Sequence, residues 1–372
     1  MSSAPQNPQA RQYHKIKNYL FFVSLAVDIF VLGGFFFGGY SAALKSRAEG
    51  IFSSVYGVNA FYFLIFSVIF YLAHFPLNLF SGFIWEHKFG LSRQKLHQWL
   101  WDDLKRSLIG FAVVLFLVEI IYVLLGRFPA TWWIGAGAAW VFISVVLARI
   151  TPNIIIPIFY KYSPIDNGEL REKVFALFKS CRVSLNDIYA INFSSKTAKA
   201  NAFFCGIGRS RRVVLSDTLL KNFSVPEIEA VVAHELAHVR HNDVVRMLCL
   251  NSLVIFAGFF LTDMALKNFL AAYGPGRIDD IAFFPVLVLG LIFLSLAAAP
   301  LLNAYSRAME KKADIFSVAK TKNPAAFVSM IQKLGEMNLS EFMPSRLIEV
   351  FFYDHPPIGK RIEYVKKLNF QN

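Results

Sequence analysis

Long apolar runs separated by short polar loops organise this chain. The runs at 19–43, 58–81, 107–126, 131–148, about 247–272 and 281–305 are each at least 18 residues long. That is the length an α-helix needs to cross a hydrocarbon core of about 30 Å at about 1.5 Å per residue. The pattern predicts six membrane-spanning helices, with a seventh helix or a half-span near 149–160 left open. Trp132 and Trp133 open the fourth run and read as interfacial anchors. Residues 1–18 are polar and read as a short, mostly disordered tail.

Between the fourth and fifth runs the pattern changes period. After Asn167, the residues Leu170, Val174, Leu177, Phe178 and Cys181 repeat at helical spacing. Short strands are expected near 187–193, 201–206 and 212–216, separated by Ser194-Ser-Lys-Thr and by Gly206-Ile-Gly-Arg-Ser-Arg. Ser224-Val-Pro-Glu227 then reads as a capping box, and Ile228, Val231, Val232, Leu236 and Val239 continue as one apolar stripe. A further helix opens at Asn323-Pro324, with Phe327, Met330, Ile331 and Leu334 on its apolar face. Four regions follow: a transmembrane region at 1–148, a mixed region at 149–246, a transmembrane hairpin at 247–305 and a C-terminal region at 306–372. The expected fold class is mainly α, a polytopic membrane protein of six to seven spans with a small β-sheet outside them.

Composition strengthens this picture. Hydrophobic residues make up 56% of the chain and charged residues 17%, and the mean hydropathy is +0.47. A soluble globular chain is less apolar than this. The net charge of +13 raises the question of nucleic acid, but the basic residues fall in loops between apolar runs. Arg11, Lys15 and Lys17 lie in the tail, and Lys88, Arg93, Lys95, Lys105 and Arg106 lie in the 82–106 loop. The loops at 127–130 and 273–280 carry Arg127 and Arg277 alone. By the positive-inside rule this places both termini and the 149–246 region on the cytosolic side, and no nucleic-acid partner is expected. Asp28, Glu119 and Asp263 interrupt apolar runs. Asp28 and Glu119 face either a hydrated chamber between the helices or a partner on a neighbouring helix, whereas Asp263 lies near enough to Lys267 to pair with it. The three cysteines have neither metal-type spacing nor a disulfide framework.

The candidate chemistry centres on Val231-Val-Ala-His-Glu-Leu-Ala-His238. Its His-Glu-x-x-His pattern puts His234 and His238 on one helical face, where both imidazoles reach one ion. Glu235 lies beside them, placed to act as general base on a water. Two neutral nitrogen ligands and a neighbouring carboxylate are what a zinc peptidase requires. Glu310 and Asp314 are again four residues apart. Glu310 would complete a His-His-Glu ligand set, and Asp314 would accept the free N–H of a ligand histidine. Spacing alone favours a solvated helix face beside Lys311 and Lys312. The fifth and sixth runs can form an antiparallel hairpin that returns Glu310 to the membrane face where His238 lies. Asn201 and Ala202 begin a strand whose free edge would bind an extended peptide, or else an ordinary half-buried strand. His355, held before two prolines, could donate to an oxyanion or orient a substrate. His241 reads as a surface residue, with a competing metal ligand as the alternative.

Taken together, these motifs resemble the type I CAAX prenyl protease family, integral-membrane zinc metallopeptidases related to HtpX-like proteases. The resemblance covers most of the chain. It includes Phe75-Pro-Leu-Asn-Leu-Phe, Glu86-His-Lys-Phe-Gly90-Leu, Asp103-Leu-Lys105, Ile156-Pro-Ile-Phe-Tyr-Lys161 with Pro164, Asn201-Ala202, Arg212-Val-Val-Leu-Ser-Asp-Thr-Leu219, Ser306-Arg307, Glu310, Ala313-Asp314 and His355-Pro-Pro357. It implies a zincin-like catalytic domain formed by 149–246 and 306–372, under helices that enclose an intramembrane chamber. It also implies zinc on His234, His238 and Glu310, with Glu235 as base and Asp314 supporting a ligand. Asn201 and Ala202 would lie on the substrate strand and His355 near the scissile bond. The chain lacks a long insertion between Leu219 and Ser224 and ends Leu-Asn-Phe-Gln-Asn, without an endoplasmic-reticulum retrieval signal.

The expectation is a multi-pass zinc endopeptidase in which Glu235 takes a proton from a zinc-activated water and passes it to the leaving amine. Its partners would be the bilayer and a peptide or protein substrate, lipidated or hydrophobic. The bacterial cytoplasmic membrane is favoured over the endoplasmic reticulum. The alternatives are a quality-control protease for membrane proteins, a transporter with a structural metal site, and a non-catalytic scaffold.

Overall fold

The computed structural model describes residues 7–206, 211–273 and 276–368. Helix α1 (Pro8–Phe37) starts where Asn7 accepts a hydrogen bond from the Gln9 amide and Pro8 presets the first turn. The expected disordered tail is therefore helical from Pro8. Ala10 and Tyr13 bury against Trp85, Leu91 and Leu339, and this packing orders the first turns. The first apolar run breaks at Gly38-Gly39, where Gly39 has φ +74°, so residues 40–43 belong to the short α2 (Tyr40–Ile51) and not to the span.

Helix α3 (Val55–Leu79) contains Pro76. It passes through a π turn at Phe80–Ile84 into α4 (Trp85–Lys88). Proline removes one backbone donor, and a widened turn after it re-pairs the backbone. Helices α5 (Leu96–Arg127) and α6 (Trp132–Ile150) follow. A second π turn at Thr151–Ile155 carries α6 into α7 (Ile156–Phe159). The candidate half-span near 149–160 is thus the end of the fourth helix. Among the described residues, six helices are long and apolar enough to cross a membrane.

The polar groups inside these helices pair with one another. Asp28 on α1 lies 2.9 Å from His74 on α3, and Asn59 on α3 reaches Glu119 on α5 at 3.5 Å. Asp263 accepts from Lys267 at 2.7 Å and from the Trp132 indole at 2.6 Å. Trp132 is consequently fully buried, contrary to its expected place at the lipid interface: a carboxylate inside the bundle gives the indole N–H a better partner than the headgroup region does.

Beyond α7 come β1 (Tyr162–Pro164), α8 (Gly168–Ser180), β2 (Asp187–Ile191), β3 (Ala202–Cys205), β4 (Arg212–Ser216) and α9 (Asp217–Asn222). The strands form one sheet in the order β1-β2-β4-β3. Strand β2 pairs parallel to β4, with Ile188 opposite Val213, and β3 pairs antiparallel to β4, with Ala202 opposite Leu215. Strand β1 is an addition that the sequence pattern did not suggest. Of the polar stretch Gly206–Arg211, positions 207–210 lie outside the described residues.

Helix α10 (Val225–Arg240) packs its apolar stripe against the sheet and α8. Helices α11 (Asp243–Tyr273) and α12 (Phe284–Thr321) form the expected hairpin, and α12 continues unbroken from the membrane-type segment into the C-terminal region. Helices α13 (Pro324–Met337), α14 (Arg346–Phe352) and α15 (Ile358–Lys366) close the core. Leu236, Ile188, Leu215 and Phe327 are fully buried there, each contributing about 1.5–3 kcal/mol of burial.

Candidate active site

Helix α10 is fixed at its start. The Ser224 amide donates to Glu227 at 2.7 Å. Glu227 is tied to α13 by Ser329 at 2.6 Å and Lys333 at 2.8 Å. Ser317 on α12 donates to the Ala230 carbonyl at 2.7 Å, setting the lateral register of α12 against α10. With Val232 and Leu236 in the core, the opposite face of α10 presents His234, Glu235 and His238.

The same register brings Glu310 between the two histidines. Glu310 Oε2 lies 3.2 Å from His234 Nε2, and Oε1 lies 3.3 Å from His238 Nε2. The two Nε2 atoms are 3.3 Å apart. Ligand atoms of His234, His238 and Glu310 all fall within 4.8 Å of one another. Glu310 Oε2 is buried without an aligned hydrogen bond. Two imidazoles and one carboxylate suit a divalent ion that accepts nitrogen and oxygen donors. The residues fit a metal.

Behind each histidine stands a carboxylate. Asp314, fully buried, places Oδ1 2.9 Å from His234 Nδ1. Asp243, in the first turn of α11, places Oδ2 3.0 Å from His238 Nδ1. Asp314 is gripped in turn by Arg361 through Nε at 2.8 Å and a terminal nitrogen at 2.5 Å, and Tyr364 donates to it as well.

His355 lies beside this cluster, half-exposed, with Nε2 3.2 Å from Glu310 Oε1 and Nδ1 2.8 Å from Asp354. Arg307, one turn before Glu310 on α12, donates to the carbonyls of Glu349 at 2.9 Å and Tyr353 at 2.6 Å. Asn303, a turn earlier again, donates to the Phe351 carbonyl at 2.8 Å. One face of α12 thus carries Glu310, its neighbour Asp314 and the clamp on the segment bearing His355.

Burial lowers the imidazole pKa of His234, but Asp314 and Glu310 outweigh it and bring it up to about 9. The same opposition raises His238. Burial likewise works against the proton of His355, while Asp354 and Glu310 bring it up to about 10. A cation beside Glu310 would take the place of the protons on His234 and His238. Burial pushes the Glu235 carboxyl up, and His234 and His238 offset part of the rise. A carboxylate shifted towards neutral pH accepts a proton more readily than an ordinary one.

A cavity of about 140 Å³ joins His234, Glu235 and His355 to Asn201 and Ala202. Strand β3 lies at the end of the sheet order, so its outer edge pairs with no strand among the described residues. The segment leading into it is pinned by the Ser92–Thr197 bridge and by Lys199–Glu86 at 2.8 Å. Asn201 exchanges hydrogen bonds with Ser216 at 2.9 Å. His241 lies away from the cluster, its ring against Phe316 with centroids 5.6 Å apart.

Sequence reasoning missed Asp243, Arg307, Arg361 and Tyr364 as contributors to the site. An acid one turn beyond a candidate ligand was the available signal for Asp243. Nothing local marked Arg361 or Tyr364, which reach Asp314 only through the packing of α15 on α12.

Residues 164–369 match the model of peptidase family M48, and residues 4–161 match that of the CAAX prenyl protease N-terminal region, described as five membrane helices. The chain is 31% identical over 363 residues to the uncharacterized metalloprotease YhfN of Bacillus subtilis, covering 96% of this chain and 85% of that protein. It is 30% identical over 308 residues to the probable CAAX prenyl protease 1 of Schizosaccharomyces pombe, covering 79% and 62% respectively. The crystal structure of S. mikatae Ste24p shares the fold, with a TM-score of 0.85 over 96% of this chain and 88% of that one at 24% identity.

Proposed function

The chain belongs to peptidase family M48 and is an integral-membrane metalloprotease resembling the CAAX prenyl proteases, and from that premise we propose that it holds zinc on His234, His238 and Glu310. The observation that carries this reading is the convergence of those three side chains, from two helices, beside Glu235. The bound ion supplies a Lewis acid for the scissile carbonyl and acidifies water in the site.

The chain's own residues do the rest. Glu235 takes the proton of the attacking water and delivers it to the leaving amine. Asp243 accepts from Nδ1 of His238, and Asp314 stands beside Nδ1 of His234, which directs each Nε2 inward. His355, kept protonated by Asp354, donates to the developing oxyanion. The edge of β3 at Asn201 and Ala202 pairs with the backbone of an extended peptide and lays its scissile bond over the cluster.

The substrate class in this proposal is a peptide or protein with a lipidated or strongly apolar tail, held with the bilayer as a partner. The catalytic region, 149–246 with 306–372, lies on the cytosolic side, and the host membrane is the bacterial cytoplasmic membrane. The loop charges and the chain's similarity to a Bacillus subtilis protein support this placement.

The test is cleavage by the purified protein of a farnesylated CAAX peptide and of the same peptide without lipid, each with and without a chelator. Chelator-sensitive cleavage of the lipidated peptide alone supports the tail-processing reading. Cleavage of both indicates a broad endopeptidase, as a quality-control protease would be. Cleavage of neither by protein holding stoichiometric zinc removes this substrate class.

A further inference from the structure

The metal cluster leaves one large feature unused. A groove of about 540 Å³ runs between the start of α1 and the segment from Glu341 through the first turn of α14. Along α1 its wall is Arg11, Lys15, Tyr19 and Phe22, spaced so that they form one stripe of the helix. From Arg11 to Phe22 that stripe extends about 16 Å at about 1.5 Å per residue. Its polar half precedes the apolar run that opens at residue 19. Its apolar half lies at the head of that run, faced by Ile348 across the groove. Phe21 and Phe22 pack on Phe352, with ring centroids 4.9 and 6.0 Å apart, and close that end.

Among the described residues, the charges in the polar half form no ion pair with one another. Among the described residues, the Arg11 guanidinium makes no ion pair or hydrogen bond, and the Lys15 ammonium meets only the Tyr19 ring, at 5.9 Å. Lys17, on another face of the same helix, is by contrast committed to Glu86 at 2.7 Å. Glu341 lines the groove and has no ion pair among the described residues. Burial pushes its carboxyl up, offset in part by the charge of Arg11. Two cations and one carboxylate, none in an ion pair among the described residues, therefore share one opening with an aromatic and aliphatic channel. They straddle the point where a membrane helix passes from polar to apolar residues.

We propose that this groove binds one phospholipid whose headgroup carries both a phosphate and a primary amine. The phosphate sits on Arg11 and Lys15, the ammonium on Glu341, and the acyl chains run along Tyr19, Phe22 and Ile348. A purely anionic headgroup leaves Glu341 facing negative charge. A quaternary amine satisfies the charge of Glu341 but cannot donate a hydrogen bond to it.

The test uses the full chain in mild detergent, exposed to equal amounts of phosphatidylethanolamine, phosphatidylglycerol and phosphatidylcholine. Retained adducts are read by native mass spectrometry. One phosphatidylethanolamine should be retained at least about threefold over either competitor, following from one added charge-assisted hydrogen bond. Arg11→Ala with Lys15→Ala should abolish retention of all three lipids. Glu341→Gln should erase the preference over phosphatidylcholine. None of these residues touches the metal cluster, so metal content should be unchanged in each variant. Equal retention of the three lipids by the unaltered protein overturns the proposal. So does a preference for phosphatidylglycerol, which assigns no role to Glu341. Displacement of the lipid by soluble glycerophosphoethanolamine overturns the lipid as the source, because the apolar half would then add nothing. Retention of no lipid also overturns the proposal. These arms use the unaltered protein and do not depend on how the variants fold.

Discussion

Arg361 holds both carboxylate oxygens of Asp314, with Nε 2.8 Å from Oδ2 and a terminal nitrogen 2.5 Å from Oδ1. Asp314 in turn lies 2.9 Å from Nδ1 of His234. The last helix of the chain thereby supports a side chain more than a hundred residues earlier. Arg361→Leu strands a fully buried carboxylate, and breaking such a pair costs about 3–5 kcal/mol. Metal affinity should fall about 10- to 100-fold, the usual loss when support behind a ligand is removed. Thermal unfolding and a metal-chelator competition measure the two effects. The double variant Arg361→Leu/Asp314→Leu should regain much of the stability but not the affinity. Recovery of both would mean that the pair does nothing for His234.

Glu235→Gln should retain the metal and lose cleavage by about 10²-fold or more, because the amide keeps the shape but cannot accept the proton. Metal content by elemental analysis and peptide cleavage are measured on the same preparation. Cleavage at the unaltered rate removes Glu235 from the role of base.

Glu310→Ala should bring metal content close to zero in dilute chelator, since two imidazoles alone bind a divalent ion weakly. His241→Ala should change nothing, because its ring packs on Phe316. If instead His241→Ala empties the site, the third ligand has been assigned to the wrong residue.

Arg307 clamps the carbonyls of Glu349 and Tyr353, two residues before His355. Arg307→Ala should leave metal content intact and lower kcat more than it raises KM, by about 10²-fold if His355 moves by about 1 Å. Arg307→Lys, reaching one carbonyl, should recover part of the loss. Steady-state kinetics at saturating metal decide this, and an unchanged kcat dissociates the clamp from catalysis.

Glu227 gives a pH dependence of stability with a definite sign. Burial raises its carboxyl pKa, but Lys333, Ser329 and the Ser224 amide pull it down to about 2, from an ordinary value of 4.5. A depressed carboxyl stabilises the fold above its unfolded pKa and loses that contribution as pH falls through the folded one. Glu227→Gln should therefore cost about 1–2 kcal/mol at pH 7, a modest figure because Lys333 is part-exposed and screened. The gap to the unaltered protein should close between pH 4.5 and about 2. Unfolding midpoints across that range measure it, and a gap that stays constant would show that the carboxylate charge is not what anchors α10.

Several features needed only local information. Apolar run length set the six spans because a helix crossing hydrocarbon must satisfy its own backbone and present apolar side chains along its whole length. The capping box at Ser224 and Glu227 and the His234–His238 spacing depend on residues within a turn or two of one helix, so they could be read directly. Even so, the first span was placed too far along the chain, since Gly38-Gly39 ends α1 and packing against Trp85 and Leu91 extends its start.

Tertiary structure decided what links distant segments. Glu310 and Asp314 could have been an exposed face by spacing alone. Ser317 bonding to Ala230 sets the register that turns them onto His234 and His238. Trp132 looked like an interfacial residue until Asp263, on another helix, offered its indole a buried acceptor. Whether Asn201 and Ala202 lead an edge or a central strand depends on the order β1-β2-β4-β3, which no single strand encodes. Arg361 stayed invisible for the same reason, as did the partners that Arg307 and Asp243 meet. The chain alone determined which segments form helices and which residue types can bind a metal. Packing between helices far apart in sequence determined which of those residues meet, because side-chain contacts of that kind depend on register and burial and not on local spacing.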